Sequence, residues 1–226
     1  MNKALFWDFD GTLSYPNKSF FTALDTALEE IGYLVDHNET AQFLEGTYSW
    51  KNPQVIYPNK TGEKWWETFF EKISLFCEGK NIGKADADRV CNCFREVLTD
   101  VSNYSLYDDT AETLKQCVNL GYKNYLVTNN YPEITENLKR LGIAQFFSGF
   151  IVSSHIGYEK PRKEFFDYAK ELAGNPETGY VIGDNPKADI QGGKDAGFTT
   201  IAVHECKESM ADFYLEELSQ IFKVLN

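Results

Sequence analysis

At 226 residues the chain can bury a core either as one large domain or as a domain carrying an inserted module. Hydrophobic residues at 42% beside charged residues at 25% are those of a globular protein and argue against a disordered chain, and 17 Phe, 13 Tyr and 4 Trp make it aromatic-rich. With 22 basic and 34 acidic residues the net charge is −12, a field that repels nucleic acid polymers and anionic membrane surfaces. A small phosphorylated ligand held by a local cation or lysine stays possible.

The first element is a β-rich run over residues 4–9. Its apolar stretch, 4–7, is far too short for a signal peptide, and no run reaches the ~18 apolar residues of a membrane span, so a cytoplasmic location is expected. The run breaks into Asp8-Phe9-Asp10-Gly11-Thr12. In a continuing strand Asp8 and Asp10 would share one face about 7 Å apart. Two such carboxylates face solvent in a turn, hold a proton, or share a cation.

Between Leu13 and about Asn103 no strand pattern occurs. Apolar residues recur at helical spacing at 20, 21, 24, 28 and 31 and at 66, 69, 70, 73 and 76, with an irregular loop over 45–62. This stretch is too long for a loop, so residues 16–103 are expected to form an inserted helical module, with the α/β core in 1–15 and 104–226. Strand runs then return at 122–128, 149–153, 180–182 and 199–203. Helical patterns at 110–120, 132–141, 161–173 and 186–196 follow or separate them, each stopped by a glycine. Strand then helix, repeated, predicts an α/β fold: a Rossmann-like parallel sheet with helices on both faces. The tail from 205 to 226 reads as a final helix with Met210, Phe213, Leu218 and Ile221 partly apolar.

Three more features fall where predicted strands end. Thr128-Asn129-Asn130 places a hydroxyl and two amides before a helix, either an N-cap or a phosphate seat. Lys160-Pro161 offers a point charge or a solvated surface lysine. Gly183-Asp184 puts a carboxylate at the end of a buried strand, with Asp189 five residues on, and such a group calls for a partner, a hard cation being the obvious one. Ligands of open α/β sheets bind outside the carboxyl ends of the strands, where all four features lie.

Together these motifs resemble the haloacid dehalogenase superfamily, whose pattern is D-x-D-G-T, a Ser/Thr, a Lys often followed by Pro, and G-D-x₄-D. The resemblance implies an Mg²⁺-dependent phosphatase acting on a small phosphomonoester such as a nucleotide, a sugar phosphate or a phosphoglycolate-like compound. It assigns Asp8 as nucleophile, forming an aspartyl-phosphate, and Asp10 as general acid/base. Gly11, Thr128, Asn129 and Lys160 would bind phosphate; Asp8, Asp184 and the Asp10 carbonyl would hold Mg²⁺. Asp189 would stand behind them or bind through water. A second Asp in the first motif argues against dehalogenation, while a phosphomutase or a catalytically silent binding module are the alternatives.

The inserted module resembles the family's cap. Its aromatics Trp50, Tyr57, Trp65, Trp66, Phe69 and Phe70 would line a pocket for a ring-bearing leaving group or form the module's own core. Lys51 would meet an anionic substrate or solvent. Five Cys (77, 91, 93, 117, 206) fit reduced thiols, and Cys91 and Cys93, two apart on a helix, point away from a shared zinc site. The His at 37, 155 and 204 are scattered.

Overall fold

A computed structural model describes residues 2–15, 19–47, 51–52, 56–206 and 210–225. Trp50 lies outside the described residues. Among them the sheet has six strands, β1 (Lys3–Trp7), β2 (Lys123–Thr128), β3 (Phe147–Val152), β4 (Thr178–Gly183), β5 (Thr199–Val203) and β6 (Phe213–Leu215). They run in the order β3-β2-β1-β4-β5-β6, every neighbouring pair parallel. The order reverses at β1, so the crevice for a ligand opens at the carboxyl ends of β1 and β4.

A parallel strand is covered on both faces, which is why β1 is apolar and buried from Ala4 to Trp7. Its side chains alternate: Ala4 and Phe6 join one buried cluster with Val127, Ile151 and Phe166, while Leu5 and Trp7 join the other with Leu126 and Ile182. The indole N–H of Trp7 donates to Asn124 Oδ1 at 3.0 Å, and Asn124 in turn donates to Leu114 O and Phe146 O, so this buried polar pair is satisfied.

Among the described residues, the interval without strands holds four α-helices, α1 (Ser19–Glu30), α2 (His37–Glu45), α3 (Glu63–Gly79) and α4 (Lys84–Thr99), and the 3₁₀ turn Val101–Asn103. Leu24, Leu28, Ile73, Val90, Phe94 and Leu98 give them a packed interior continuous with the Trp7 face of the sheet. Hydrogen bonds tie them to the sheet side: Tyr57 N–H to Gly157 O at 3.1 Å, Gly62 N–H to Ser154 O at 2.8 Å, and Trp66 Nε1 to Glu133. Arg95 of α4 joins the same Glu133 and also bonds Glu63.

The later helices are α5 (Thr110–Asn119), α6 (Ile134–Arg140), the one-turn α7 (Ser153–Ile156), α8 (Lys163–Leu172) and α9 (Gly192–Asp195). Glycines 121, 142, 174 and 197 past these helices all have positive φ, as the expected stops require.

Several expectations are corrected. β1 ends at Trp7, two residues early, because Thr12, Leu13 and Ser14 all donate to Phe9 O and coil the chain into a turn. β3 starts at Phe147 and gives way at Ser153 to α7. The helix expected over 186–196 opens as a π-helical turn, Pro186–Gln191, before α9. The expected tail helix is instead the edge strand β6 followed by a 3₁₀ helix, Leu218–Lys223: Met210 and Phe213 face solvent, and Leu215, Leu218 and Ile221 are buried.

Candidate active site

Because β1 stops at Trp7, Asp8 stands at the mouth of the sheet while its own N–H continues the ladder to Ile182 O at 2.9 Å. Asp8, Asp10, Thr128, Lys160, Asp184 and Asp189 line one cavity of about 300 Å³ at the carboxyl ends of β1, β2 and β4. Asn129 reaches it too, as does Phe20 from α1.

Lys160 is the organising charge. Only 2% exposed, it donates to Asp8 Oδ1 at 2.7 Å and to Asp189 Oδ1 at 2.5 Å. Burial disfavours its ammonium, but the ion pairs with Asp189 and Asp8 outweigh that and hold the group above its ordinary value. The surface-lysine reading of this residue is therefore excluded.

Its main chain is fixed by Asn129, whose Oδ1 accepts from Lys160 N–H at 2.7 Å and whose Nδ2 donates to Lys160 O at 3.0 Å. The Asn129 side chain thus grips the lysine loop, a different task from the phosphate contact expected of it.

Asp8, Asp184 and Asp189 present carboxylate oxygens all within 4.8 Å of one another. Asp184 Oδ1 accepts from the Thr12 hydroxyl at 3.3 Å. Asp189 accepts from Lys160 through one oxygen and from Asn185 N–H, at 3.1 Å, through the other. Asn185 Oδ1 caps the π-helical turn by accepting from Lys187 and Ala188 N–H.

Two glycines make the room. Gly11, at φ +81°, would place a Cβ 2.3 Å from Asp184 Oδ2, and a Cβ on Gly183 would lie 2.3 Å from the Asp189 carboxyl. What approaches Gly11 so closely is the Asp184 carboxylate.

Asp10 is set apart from the other three. Asn130 Nδ2 donates to its Oδ2 at 2.7 Å, while its Oδ1 is buried with no partner among the described residues. Burial, and then the Asp8 charge, push its carboxyl from 3.8 to about 7, so near neutrality it can hold a proton. Burial and the charges of Asp8 and Asp189 raise Asp184 to about 8, and burial raises Asp189 against the pull of Lys160.

An all-oxygen, carboxylate-rich donor set whose members repel one another fits a hard divalent cation such as Mg²⁺. Among the described residues the thiols form no comparable group; Cys91 is buried against Ser74, and Cys93 is half-buried on a neighbouring face of α4.

These raised values have a sign. A carboxyl with folded pKa above its unfolded 3.8 favours folding below that pH, and the benefit is lost as pH rises through the folded value. Across pH 4 to 8 the metal-free protein should therefore lose stability, and Mg²⁺, which competes for the ionised carboxylates, should stabilise it more at pH 8 than at pH 5. Thermal melts with and without Mg²⁺ test this; a Mg²⁺ effect equal at both pH values would contradict it.

Four residues make contacts that the motifs do not assign. Asn130 orients Asp10, Thr12 holds Asp184, Asn185 holds Asp189, and His204 Nε2 lies 3.0 Å from Thr12 O while its ring stacks on Tyr107. His37 instead meets Asp25, and His155 meets Pro132 O, so the three His remain apart. The aromatic stripe divides: Tyr57, Trp65 and Phe69 line a second cavity beside the first, whereas Trp66 turns to Tyr131 and Glu133. Lys51 pairs with Glu45 in solvent.

A Rossmann-like sheet carrying this acidic and lysine cluster at its switch point defines an α/β protein with a polar ligand site at the carboxyl ends of its strands. A model of the haloacid dehalogenase-like hydrolases matches residues 2–197, and the chain belongs to that family. It is 36% identical over 93 residues to pyrimidine 5'-nucleotidase YjjG of Escherichia coli, covering 40% of this chain and 41% of that protein. It is 37% identical over 103 residues to glyceraldehyde 3-phosphate phosphatase of Methanopyrus kandleri, covering 45% and 44%. The chain thus spans about half the length of the curated relatives it matches. The fold superposes on the crystal structure of YfnB of Bacillus subtilis, a HAD-hydrolase by name and bound to magnesium, with a TM-score of 0.76 at 22% identity over 100% of this chain and 99% of that one. No helix among the described residues is long and apolar enough to cross a membrane.

Proposed function

We propose that this protein is a phosphatase that hydrolyses a small phosphomonoester by way of an aspartyl-phosphate on Asp8. The observation that carries the reading is the convergence of Asp8, Asp10, Thr128, Lys160 and Asp184 in one cavity at the carboxyl ends of three strands. Relatives named for phosphate release from nucleotides and glyceraldehyde 3-phosphate support the reaction class.

In this reading a carboxylate oxygen of Asp8 attacks phosphorus, and the ester P–O bond breaks. The departing alkoxide takes the proton of Asp10, which its raised pKa keeps available. Asp10, now ionised, removes a proton from water as that water attacks the phosphoryl group, releasing inorganic phosphate and restoring both carboxyls. Asn130 keeps one Asp10 oxygen fixed and leaves the other toward the reacting atoms. Lys160 counters the charge on the transferring group, and Thr128 and the main chain at Asn129 hold its oxygens.

Asp8 and Asp184, with the Asp10 main-chain carbonyl, are the residues that would hold Mg²⁺, and Asp189 stands behind them because both of its oxygens already accept protein donors. Bound there, Mg²⁺ would supply charge neutralisation on the phosphoryl oxygens. Residues 16–103 serve as the cap over the core of 1–15 and 104–226, excluding water from the cavity.

Release of phosphate from p-nitrophenyl phosphate with Mg²⁺, abolished by EDTA and restored by added Mg²⁺, is the expected result. Absence of turnover on that ester and across a panel of nucleotides, sugar phosphates and phosphoglycolate would turn the reading toward a silent binding module; isomerised sugar phosphates without phosphate release would turn it toward a mutase.

A further inference from the structure

Beside the acidic cavity lies a second one of about 110 Å³, between α1 and α3 on one side and the ends of β2 and β3 on the other. Phe20 and Asn129 line both, so the second cavity is where the alcohol side of an ester seated on Asp8 would extend. Its wall is chiefly apolar, from Phe20, Leu44, Trp65 and Phe69, yet two polar groups from one face of α3 project into it. Thr68 and Lys72 are four residues apart and so lie one above the other on that face.

Neither pairs with a described residue. The Thr68 hydroxyl oxygen is buried with no hydrogen-bond partner, and Lys72, half-buried, forms no ion pair or hydrogen bond with any described residue. Almost every other cap lysine is paired: Lys51 with Glu45, Lys60 with Glu71, Lys80 with Glu39, Lys84 with Asp88. Burial alone draws the Lys72 ammonium below its ordinary value. In a chain of net charge −12, a half-buried lysine that pairs with no described carboxylate, between an apolar wall and a polar cavity lined by Gln42 and Asn52, is open to an anion from outside. Glu159 lines the same cavity, and the described ion pairs do not join it to Lys72.

We propose that Lys72 is a specificity-determining residue that binds a second anionic group on the leaving-group side of a short phosphomonoester, with the Thr68 hydroxyl donating to the same group. This deepens the phosphatase reading and rests on it. The cavity is small, about 110 Å³, and suits a short leaving group; a longer one would extend past Lys72 into the adjoining cavity that Tyr57, Lys72 and Glu159 also line. Carboxylate and phosphate share the required chemistry, and the test separates them.

The experiment compares matched esters. Phosphoglycolate is set against 2-hydroxyethyl phosphate, and propane-1,3-diol bisphosphate against 3-hydroxypropyl phosphate, and the charged-to-neutral ratio of kcat/KM is read for each pair. In the unaltered protein at least one ratio should exceed about tenfold, the worth of one charge-assisted hydrogen bond. Lys72→Met should bring that ratio close to one, mainly through KM, and Lys72→Arg should keep most of it. Taking a ratio cancels any general disturbance of the cap. Whichever pair shows the dependence identifies the group.

Ratios near one in the unaltered protein, or a ratio unchanged by Lys72→Met, overturn the proposal. Calorimetric titration of the same four esters into Asp8→Asn, with and without Lys72→Met, reads the preference without turnover. A protein that releases phosphate from neither p-nitrophenyl phosphate nor any ester of the panel, yet still shows the lysine-dependent binding ratio, defeats the phosphatase reading alone; one that releases phosphate without the ratio defeats this inference alone.

Discussion

Asp8→Asn should lower phosphate release from p-nitrophenyl phosphate by on the order of 10⁴-fold or more, the scale of loss when the attacking group of a cooperating set is removed. The amide has nearly the same shape and fits the same space, but it cannot form the acyl phosphate. Its effect on folding should run the other way. The Asp8 charge helps to raise both Asp10 and Asp184, so its removal relieves repulsion at two buried carboxyls. Lys160 loses one partner and keeps Asp189. The metal-free variant at pH 8 should therefore melt no lower than the unaltered protein, and its affinity for Mg²⁺ should fall. Near-normal turnover in Asp8→Asn would place the nucleophile elsewhere, and a large drop in melting temperature would make Asp8 a structural group instead.

Much of this site is legible in the letters because each carboxylate interrupts an apolar strand, where an unpartnered charge has no structural excuse. Asp8 and Asp184 stand out in that way, Lys160 and Asp189 only as parts of the motif pattern, and the fold brings all four into one cavity. What stays hidden depends on pairing between distant segments. Asn130 as the holder of Asp10 cannot be told from an N-cap amide, since both follow a strand and precede a helix. His204 reaches Thr12 O across 192 residues of chain, and no local pattern marks it. Asn129 illustrates the converse: the motif points to the residue, but its side-chain amide is committed to the Lys160 main chain.

The same limit applies to the fold. The parallel sheet is readable because strands buried on both faces are continuous apolar runs. β6 is three residues long at the sheet edge with two of them exposed, too short for alternation to separate it from a helical turn. The early end of β1 also has a local cause invisible to periodicity: three successive N–H groups converge on Phe9 O, and the resulting turn carries Asp10 into the cavity without strand alternation. In the sequence Lys72 and Thr68 look like ordinary polar positions of an amphipathic helix, and only the cavity between α3 and the strand ends sets them apart.

Lys160→Met should destabilise the metal-free protein at pH 8 by about 3–5 kcal/mol, the usual cost of removing one partner from a buried ion pair. The methionine fills the volume of the stem, so the loss is electrostatic. Asp189, fully buried, and Asp8, nearly so, would be left facing each other with no cation between them. For a chain of this length that is a fall in melting temperature of roughly 6–20 °C. The penalty should shrink at pH 5, where Asp189, already raised to about 7, can take up a proton instead of standing charged. Adding Asp189→Asn to Lys160→Met should recover stability at pH 8 by removing one of the two stranded charges. Turnover should stay low in both variants, by about 10²–10³-fold, because neither restores the positive charge beside the transferring phosphoryl group. Stability and activity thus separate across the pair: a double variant that recovers both would make Lys160 a purely structural counter-ion, and a single variant within about 1 kcal/mol of the parent at pH 8 would show that the buried carboxylates are not charged together.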